Sequence, residues 1–370
     1  MLRPLTGPDF GTYMGNEVSW LLTDLSGHIL EAPTAERERK IQSGGEHYAE
    51  SLPVEYQPNA EYQELFDEIL QHSARRLAAA VGVVTELVLA ERGSDVAFVS
   101  LARAGTPVGI LMRRWALLRH ELSRPHYSVS IVRGRGIDTV ALDFLKSRYD
   151  PTKVVFIDGW TGKGAITREL VAALDEYADK TGTRFDARLA VLADPGHCVR
   201  TFGTRDDFLI ASACLNSTVS GLISRTVLNR RVLGTDNFHG AKFYRELKTA
   251  DRSAVFLDAV TAQFGSVRAE VQRRLDALAE QDRTPTWSGM ATVQRIQDRY
   301  GIATANFVKP GIGETTRVLL RRVPWRILLR DPDDSDHRHI RLLAKTRRVP
   351  IVIDPDMTYA AVGLIKEVSW

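Results

Sequence analysis

The stretch from Val154 to Ala165, which reads VVFIDGWTGKGA, decides the fold class. Its first four residues are apolar and predict a buried strand, and its glycine-rich turn opens an amphipathic segment that runs from Ile166 to about Lys180. Strand-like runs also occur at Val96 to Val99, before a helical segment, and at Arg188 to Ala193. Strands that alternate with helices predict an α/β fold built on a parallel sheet, with ligand sites at the carboxyl ends of its strands.

The composition is that of a globular chain. With 370 residues, 44% of them hydrophobic, the chain can bury a large core and is long enough for two or three domains. Its two cysteines, Cys198 and Cys214, are too few for a disulfide framework and indicate a reducing compartment. No stretch is apolar enough to span a membrane, so we expect a cytoplasmic protein. A net charge of +3 leaves any polyanion binding to local clusters of charge.

The pattern divides the chain into three parts. Apolar residues at helical spacing from Glu61 to Val84 predict an amphipathic helix against the core, and residues 205–282 predict a mostly helical cover over the sheet. A loop is expected between Lys309 and Gly313, followed by a basic strand-like segment from Arg317 to Leu329. The predicted parts are an N-terminal arm (1–45), a main α/β domain (46–310) and a small C-terminal α/β module (311–370).

The turn after the strand carries the predicted chemistry. Successive backbone N–H groups in such a turn, backed by the start of a helix, form a site for a phosphate group, and glycine lets the phosphate come close. Thr161 and Lys163 add donors, and the carboxylate of Asp158 is placed to accept hydrogen bonds from sugar hydroxyls. A nucleoside-triphosphate P-loop needs a longer spacing than Gly159 to Gly164 provides. The ordinary alternative is a tight strand-to-helix connection without a ligand.

Two further loops fit the same interpretation. Ser100 to Pro107 combines small residues, around which backbone amides can wrap a diphosphate, with the fixed fork of donors of Arg103. His126 to Asp138 is a strand followed by a basic turn, which could close over a leaving group and bring Arg133 and Arg135 to it. Solvated arginines in ordinary surface turns are the alternative explanation.

The order of these loops resembles the type I phosphoribosyltransferases, and the whole sequence is similar to a bacterial family found beside tellurite-resistance genes. In that family a phosphoribosyltransferase-like domain precedes a Pelota-like RNA-binding module, and some members are named cysteine protease StiP. The matching stretches include Ser100 to Gly109, Val154 to Ala165 and Lys309 to Pro324. The resemblance implies a type I phosphoribosyltransferase-like parallel sheet with a helical hood for residues 46–310 and a Pelota-like module for residues 311–370.

The resemblance also implies an activity, the transfer of phosphoribose from phosphoribosyl diphosphate to a base or small acceptor. Arg103, Arg133 and Arg135 would stabilise the departing diphosphate, and Asp158 would hold the ribose. Magnesium would be bridged by substrate oxygens and water, so no protein metal ligands are expected. The other residues expected to bind substrate are Ser100, Ala102, Ala104, Gly105, Gly159, Thr161, Gly162, Lys163, Gly164, Ala165, Asp194 and His197.

Two other functions stay open. Type I members usually carry two adjacent acids, and Ile157 occupies the first of these positions, which leaves room for a non-catalytic sugar-phosphate sensor that acts on RNA. A cysteine protease would use Cys198 or Cys214 together with an oriented histidine, for which His197, His239 and His126 are the candidates. His197 is a poor base for the adjacent Cys198, since neighbouring side chains in a strand-end loop point apart. Cys214 lies in a predicted helix, where a cysteine more often acts as a small buried hydrophobic residue.

The C-terminal module is basic, which favours contact with RNA phosphates. Strand and helix patterns at Arg326 to Leu329, His337 to Lys345 and Pro350 to Ile353 are similar to the Pelota-like module. A solvated basic face is the alternative, and the sequence leaves a homodimer open. The basic residues of the module are Arg317, Arg321, Arg322, Arg326, Arg330, Arg338, Arg341, Lys345, Arg347 and Arg348.

Overall fold

A computed structural model of the chain describes residues 2–32, 47–55, 57 and 60–365. The strands are β1 (Ser19–Leu21), β2 (Thr23–Asp24), β3 (Glu31–Ala32), β4 (Leu52–Pro53), β5 (Ala97–Ala102), β6 (His126–Val132), β7 (Gly136–Ile137), β8 (Val154–Trp160), β9 (Ala190–Ala193), β10 (Thr201–Thr204), β11 (Gly240–Ala241), β12 (Val308–Pro310), β13 (Pro324–Leu329), β14 (Ile351–Ile353) and β15 (Ala361–Ile365). The α-helices are α1 (Ala60–Arg92), α2 (Gly105–His120), α3 (Thr139–Lys146), α4 (Ala165–Thr181), α5 (Ser253–Thr261), α6 (Phe264–Ala279), α7 (Ser288–Tyr300), α8 (Ile312–Arg321) and α9 (Arg338–Arg347). Short 3₁₀ turns lie at Pro151–Lys153, Ala211–Ala213, Ser217–Val219, Arg245–Ala250, Ala305–Phe307 and Ser335–His337.

The centre of the main part is a seven-stranded sheet. Its strands lie in the order β1, β6, β5, β8, β9 and β10, and all these neighbours are parallel, while β7 pairs with β6 in the antiparallel sense. The run from Val154 to Ile157 is apolar throughout because β8 lies in the middle of the sheet and both its faces are covered. The predicted α/β fold with a mostly parallel sheet is confirmed.

The position of the site follows from the strand order. From β5 the chain passes to β6 on one side, whereas β8, β9 and β10 lie on the other side, so the order reverses between β5 and β8. The loops that follow these two strands therefore diverge and leave a crevice at the carboxyl edge of the sheet. Ala104 and Asp158 lie on its two sides.

The C-terminal part has its own sheet and core. Strands β12, β15, β13 and β14 form a four-stranded sheet in that order, with β13 and β14 parallel and the other pairs antiparallel. Residues such as Val293, Ile296, Leu328 and Tyr359 make a separate apolar cluster beneath it. We call residues 287–365 the C-terminal unit.

Two predictions of secondary structure are wrong. Arg317 to Leu329 is the end of a helix followed by a strand. The helix α8 docks on the sheet through residues that are buried at helical spacing: Ile312, Thr315, Thr316 and Leu319. The arginines between them obscure this period in the sequence. Within residues 205–282 only α5 and α6 are long helices. The stretch between Arg205 and Arg252 is largely irregular because its small residues pack into the core without a helical period.

Four further expectations concern the N-terminal arm, the domain boundaries, membrane spans and the location. Much of the predicted arm, residues 33–45, lies outside the described residues, and the domain boundaries stay predictions. Among the helices of the described residues, none combines the length and apolar character that a membrane crossing requires. The predicted cytoplasmic location also stays a prediction.

Candidate functional site

A cleft of about 300 Å³ opens at the carboxyl edge of the sheet. One wall is the turn between β8 and α4, and the other belongs to the C-terminal unit. The cleft therefore joins the two parts of the chain. Its lining residues are Ala104, Asp158, Trp160, Thr161, Gly162, Lys163, Gly164, Ala165, Ile166, Val308, Lys309, Pro310, Glu314 and Arg317.

Glycines give the turn its close contacts. Gly164 has a φ of +68° at the start of α4, and a Cβ atom there would lie 2.2 Å from the Trp287 ring. A Cβ atom on Gly196 would lie 1.8 Å from the carbonyl oxygen of Gly162. Both distances are far below van der Waals contact, so larger residues would separate the turn from its neighbours. The turn is thus packed tightly from behind and open to the cleft in front.

Asp158 follows the buried part of β8 and lies in the cleft. Its carboxylate accepts a hydrogen bond from the Gly159 amide at 2.8 Å. Burial raises the pKa of Asp158 to about 7, and the bond from Gly159 offsets only part of this rise. A substantial fraction of this carboxyl group is therefore neutral near pH 7.

The cleft has a basic wall. The Lys163 ammonium donates a hydrogen bond to the carbonyl oxygen of Ala305. Burial, followed by the charges of Lys309 and Arg133, lowers the pKa of Lys163 to about 8. Burial also lowers the pKa of Lys309, while the carboxylate of Glu314 opposes that change. Cations that repel one another in a partly desolvated cleft favour the binding of an anion.

Asp194 organises the turn after β9. This fully buried carboxylate accepts hydrogen bonds from the amides of Cys198 and Val199, both at 2.9 Å, and forms an ion pair with Arg205. Burial raises the pKa of Asp194 to about 6, although these partners oppose the rise. The aspartate fixes the backbone on which the next cysteine sits.

Cys198 lies directly behind the cleft and is only 1% exposed. Its Sγ lies 3.5 Å from the carbonyl oxygen of Gly162 and 3.4 Å from that of Gly196. Burial raises the pKa of the thiol to about 11, with the Thr161 hydroxyl opposing this, so the thiol is protonated at neutral pH. Among the described residues, no histidine ring is hydrogen-bonded to Sγ.

The other candidate protease residues lie differently. Cys214 is fully buried in the apolar core of the main part, at the end of the 3₁₀ turn Ala211–Ala213. His197 is half-buried beside Cys198, and its φ of +54° is unusual for a residue with a side chain. Burial and then the charge of Arg205 lower the pKa of His197.

The C-terminal unit covers this turn. Tyr359 donates a hydrogen bond from its hydroxyl to the carbonyl oxygen of Gly162 at 3.0 Å. The amides of Trp287 and Gly289 donate to the carbonyl oxygens of His197 and Gly196, both at 3.0 Å. The C-terminal unit therefore holds the backbone just before Cys198 and the Gly162 carbonyl that contacts its Sγ.

The structure brings only some of the predicted residues together. Asp158, Thr161 and Lys163 share the cleft with Ala104, Gly162, Gly164 and Ala165. The other residues expected to bind substrate lie outside its lining: Ser100, Gly105 and Gly159 are buried, Ala102 is half-buried, and Asp194 and His197 lie in the turn behind it.

The three predicted arginines do not converge on the cleft. Arg103 donates to the carbonyl oxygen of Ile223 at 2.9 Å, and Arg133 donates to Asn306 at 3.2 Å. Arg135 is exposed on the turn between β6 and β7 and does not line the cleft. No ready clamp for a diphosphate results from this arrangement.

The sequence interpretation missed the opposite wall of the cleft. Glu314 and Arg317 of this wall belong to the module predicted at 311–370, which was expected to contact RNA, and Lys309 lies just before its predicted boundary. Tyr359, from the same module, bonds to the turn at Gly162. In the sequence, this wall is marked only by the predicted loop from Lys309 to Gly313, and nothing in the loop indicates which residues it contacts. Within the described residues, no group of three histidine, cysteine or acidic side chains is arranged to hold a metal ion.

Comparison with known proteins agrees with this division of the chain. Residues 11–261 match a family model described as "Tellurite-like stress resistance cysteine protease StiP", and residues 287–367 match the PELOTA RNA binding domain. A protein of Acinetobacter baylyi (strain ATCC 33305 / BD413 / ADP1), named "Cysteine protease StiP", is 36% identical over 381 residues, which cover 97% of this chain and 94% of the relative. No solved structure matches the chain.

These names overturn the predicted activity. The family and the relative are both named cysteine protease, so the prediction of a phosphoribosyltransferase is wrong. Phosphoribosyl diphosphate, the small acceptor and magnesium were expected only as parts of that reaction. The geometry gives a physical reason, because Arg103 and Arg133 are hydrogen-bonded elsewhere and Arg135 does not line the cleft. The tellurite-associated family and the Pelota domain were predicted correctly. The chain belongs to the family described as tellurite-like stress resistance cysteine protease StiP.

Proposed function

We propose that the chain is a cysteine protease whose nucleophile is Cys198 and whose resting form is closed by the C-terminal unit. The names of the family and of the Acinetobacter relative support the reaction type. One observation carries the choice of residue: the Sγ of Cys198 lies 3.5 Å from the carbonyl oxygen of Gly162, behind the turn that lines the cleft. Cys214, in contrast, lies in the apolar core.

The proposed reaction requires a change at the turn. A thiolate of Cys198 attacks the peptide carbonyl carbon, a C–S bond forms, the C–N bond breaks and the amine leaves with a proton; water then hydrolyses the thioester. Since the pKa of the buried thiol is about 11, the closed form supplies almost no thiolate at pH 7. His197, in the same turn, is the proposed base; its ring does not bond to Sγ in the closed form, so it takes the thiol proton only after the opened turn has brought the two side chains together.

The C-terminal unit provides the closure. Besides the bonds at Gly162, Gly196 and His197, the buried carboxylate of Asp207 accepts hydrogen bonds from the amides of Ile312 and Ala360, both at 2.9 Å. Each of these bonds uses a main-chain group on at least one side, so together they fix the unit in one position. Release of this contact would expose the cleft and Cys198 together.

The basic wall of the cleft suggests the substrate. We propose that Lys163, with the turn from Thr161 to Ala165, binds an anionic group such as an acidic side chain of a peptide, and that Lys309 adds its charge while the C-terminal unit is in place. Asp158 faces the same space and is partly neutral near pH 7, which reduces its repulsion of an anion. The type I phosphoribosyltransferase fold is retained only as a proposal of common ancestry, supported by the reversal of strand order at the cleft.

Peptide cleavage by the full chain tests the protease. A library of fluorescence-quenched peptides, half of them rich in Asp and Glu, is incubated with the wild type, Cys198→Ala and Cys214→Ala. We expect cleavage by the wild type and by Cys214→Ala, a preference for acidic peptides, and a loss of at least ~100-fold in Cys198→Ala. Equal cleavage by Cys198→Ala and the wild type would show that another residue is the nucleophile.

We also propose that the C-terminal unit binds RNA. The match to the PELOTA RNA binding domain and the exposed basic residues of the unit, among them Arg322, Arg330, Arg338 and Lys345, support this second function. Binding that weakens as salt rises is the expected result in a fluorescence anisotropy titration with labelled RNA. An affinity that does not depend on salt would contradict a phosphate contact.

A further inference from the structure

A second groove lies on another face of the C-terminal unit. It encloses about 670 Å³ between α1 of the main part and α9 of the C-terminal unit. From α1 it is lined by Leu65, Ile69, Ser73 and Arg76, and Phe208 and Leu209 contribute part of its floor. None of these residues belongs to the cleft above Cys198. We call this space the α1–α9 groove.

One face of α9 forms a basic rim of the groove. Arg338, Arg341, Leu342 and Lys345 recur at helical spacing and all line it. Arg341 donates to the carbonyl oxygens of Pro332 and Asp334, whereas Arg338 and Lys345 are exposed and form no ion pair with a described residue. These two free cations are seven residues, or about 10 Å, apart along the helix. An extended polyanion can therefore lie along α9.

A buried hydroxyl in the groove has no partner. Ser73 is 7% exposed, and its Oγ makes no hydrogen bond with any described residue. A serine inside a helix ordinarily bonds to the carbonyl oxygen four residues earlier, so an unsatisfied buried hydroxyl is unusual. Because Ser73 lines the groove, a ligand there can supply the missing partner.

The floor combines apolar surface with a stacked guanidinium. Arg76 lies 4.2 Å from the centre of the Phe208 ring and is held by Asp206 and Asp336 at 3.1 and 2.8 Å. Leu342, on the opposite side, is 65% exposed, although it is a large hydrophobic residue. Planar groups of single-stranded RNA stack on arginine planes and apolar side chains in this way.

We propose that the α1–α9 groove binds a segment of single-stranded RNA, with phosphates on Arg338 and Lys345, a base against Leu342 and the Arg76–Phe208 pair, and a hydroxyl or base edge hydrogen-bonded to Ser73. The proposal rests on the RNA-binding function proposed above and assigns its site. An acidic peptide would satisfy the cations but has no planar group for the floor. The strand would contact both parts of the chain.

Fluorescence anisotropy with a labelled 12-nucleotide uridine RNA tests the site on the full chain. The double variant Arg338→Glu/Lys345→Glu should bind at least ~10-fold more weakly at 0.1 M salt. The slope of log K against log salt should become less negative by about 1.4, at ~0.7 per lost phosphate contact. Ser73→Ala should weaken binding about 3- to 10-fold with an unchanged slope, since it removes a neutral hydrogen bond. Lys180→Glu/Arg184→Glu, an equal change of charge on exposed residues at the end of α4, should bind like the wild type.

Crosslinking distinguishes a wrong binding site from a complete lack of RNA binding. With 4-thiouridine in the RNA, crosslinks should map to peptides of α1 or α9. Tight RNA binding with unaffected groove variants and crosslinks elsewhere would overturn the groove while leaving RNA binding intact. A wild type that binds no RNA would overturn both. An oligo-aspartate that displaces the RNA at equal concentration would show that the groove prefers acidic peptides, which also overturns the proposal.

Discussion

Cys198 and Cys214 are both buried, and they differ in what surrounds the thiol. Cys198 is held by the carbonyl oxygens of Gly162 and Gly196 next to the carboxylate of Asp194, so its pKa is raised first by burial and then by a negative charge. Cys214 packs in the apolar core. A closed protease is expected to keep its nucleophile in this protonated state until the turn opens.

The pH dependence of alkylation measures this state. In a Cys214→Ala background, the rate at which iodoacetamide modifies Cys198 should rise nearly tenfold per pH unit up to pH 10, because the thiolate fraction is still increasing there. Mass spectrometry of quenched samples gives the rate. The same variant in urea should level off near the ordinary thiol pKa of about 8.5. A native rate that levels off below pH 9 would contradict the raised pKa.

Asp158 gives a second prediction at this scale. Its pKa is about 7 in the folded chain and near the ordinary value of 3.8 in the unfolded chain. Between these values the folded state binds more protons than the unfolded state, so ionisation destabilises the fold as pH rises from about 4 to about 7. Asp158→Asn removes this effect. The free energy of unfolding of Asp158→Asn minus that of the wild type should therefore be about 1–3 kcal/mol larger at pH 8 than at pH 5.

Urea unfolding at the two pH values measures the effect. Asp95→Asn, which removes a carboxylate from an exposed position, controls for the change of net charge. An equal difference between Asp158→Asn and the wild type at both pH values would contradict the raised pKa of Asp158.

The start of α4 can be tested with a matched pair of glycines. Gly164 and Gly182 lie at opposite ends of this helix with φ values of +68° and +71°. An alanine at either position adopts a left-handed backbone at a cost of about 1–2 kcal/mol. At Gly182 the added Cβ meets open space, whereas at Gly164 it meets the Trp287 ring.

We therefore expect Gly164→Ala to lower the free energy of unfolding by ~1–3 kcal/mol more than Gly182→Ala, because overpacking adds to the backbone strain. Chemical denaturation of both variants provides the comparison. Equal losses would mean that the C-terminal unit does not press on the start of α4.

The elements of the parallel sheet could be predicted from sequence because their signals are local. The apolar run of β8 and the period of α4 are each contained in a few turns of chain. The partners of the turn could not be predicted in this way. Tyr359 lies 197 residues after Gly162, and the spacing of residues along the chain carries no sign of such a contact. The wrong assignment of activity has the same origin, since Arg103 looks free in sequence but bonds to Ile223.

For the whole molecule, the contact between its two parts controls access to Cys198. Tyr359→Phe removes the hydrogen bond to Gly162 and keeps the ring. This change should destabilise the closed form by about 1 kcal/mol and raise the population of the open form about fivefold. The alkylation rate of Cys198 at pH 8 should rise by the same factor. Tyr300→Phe, elsewhere in the C-terminal unit, should have no effect. An unchanged rate in Tyr359→Phe would indicate that the thiol is reached by another route.

Cys198 is the residue proposed to form a covalent bond with a peptide substrate. Acid quenching of the full chain during turnover of an acidic peptide, followed by peptide mapping for an acyl thioester, detects that bond itself. We predict an acyl group on Cys198 that is absent in Cys198→Ala and more abundant in Tyr359→Phe. Turnover without an adduct on Cys198, or with an adduct on Cys214, would contradict the account.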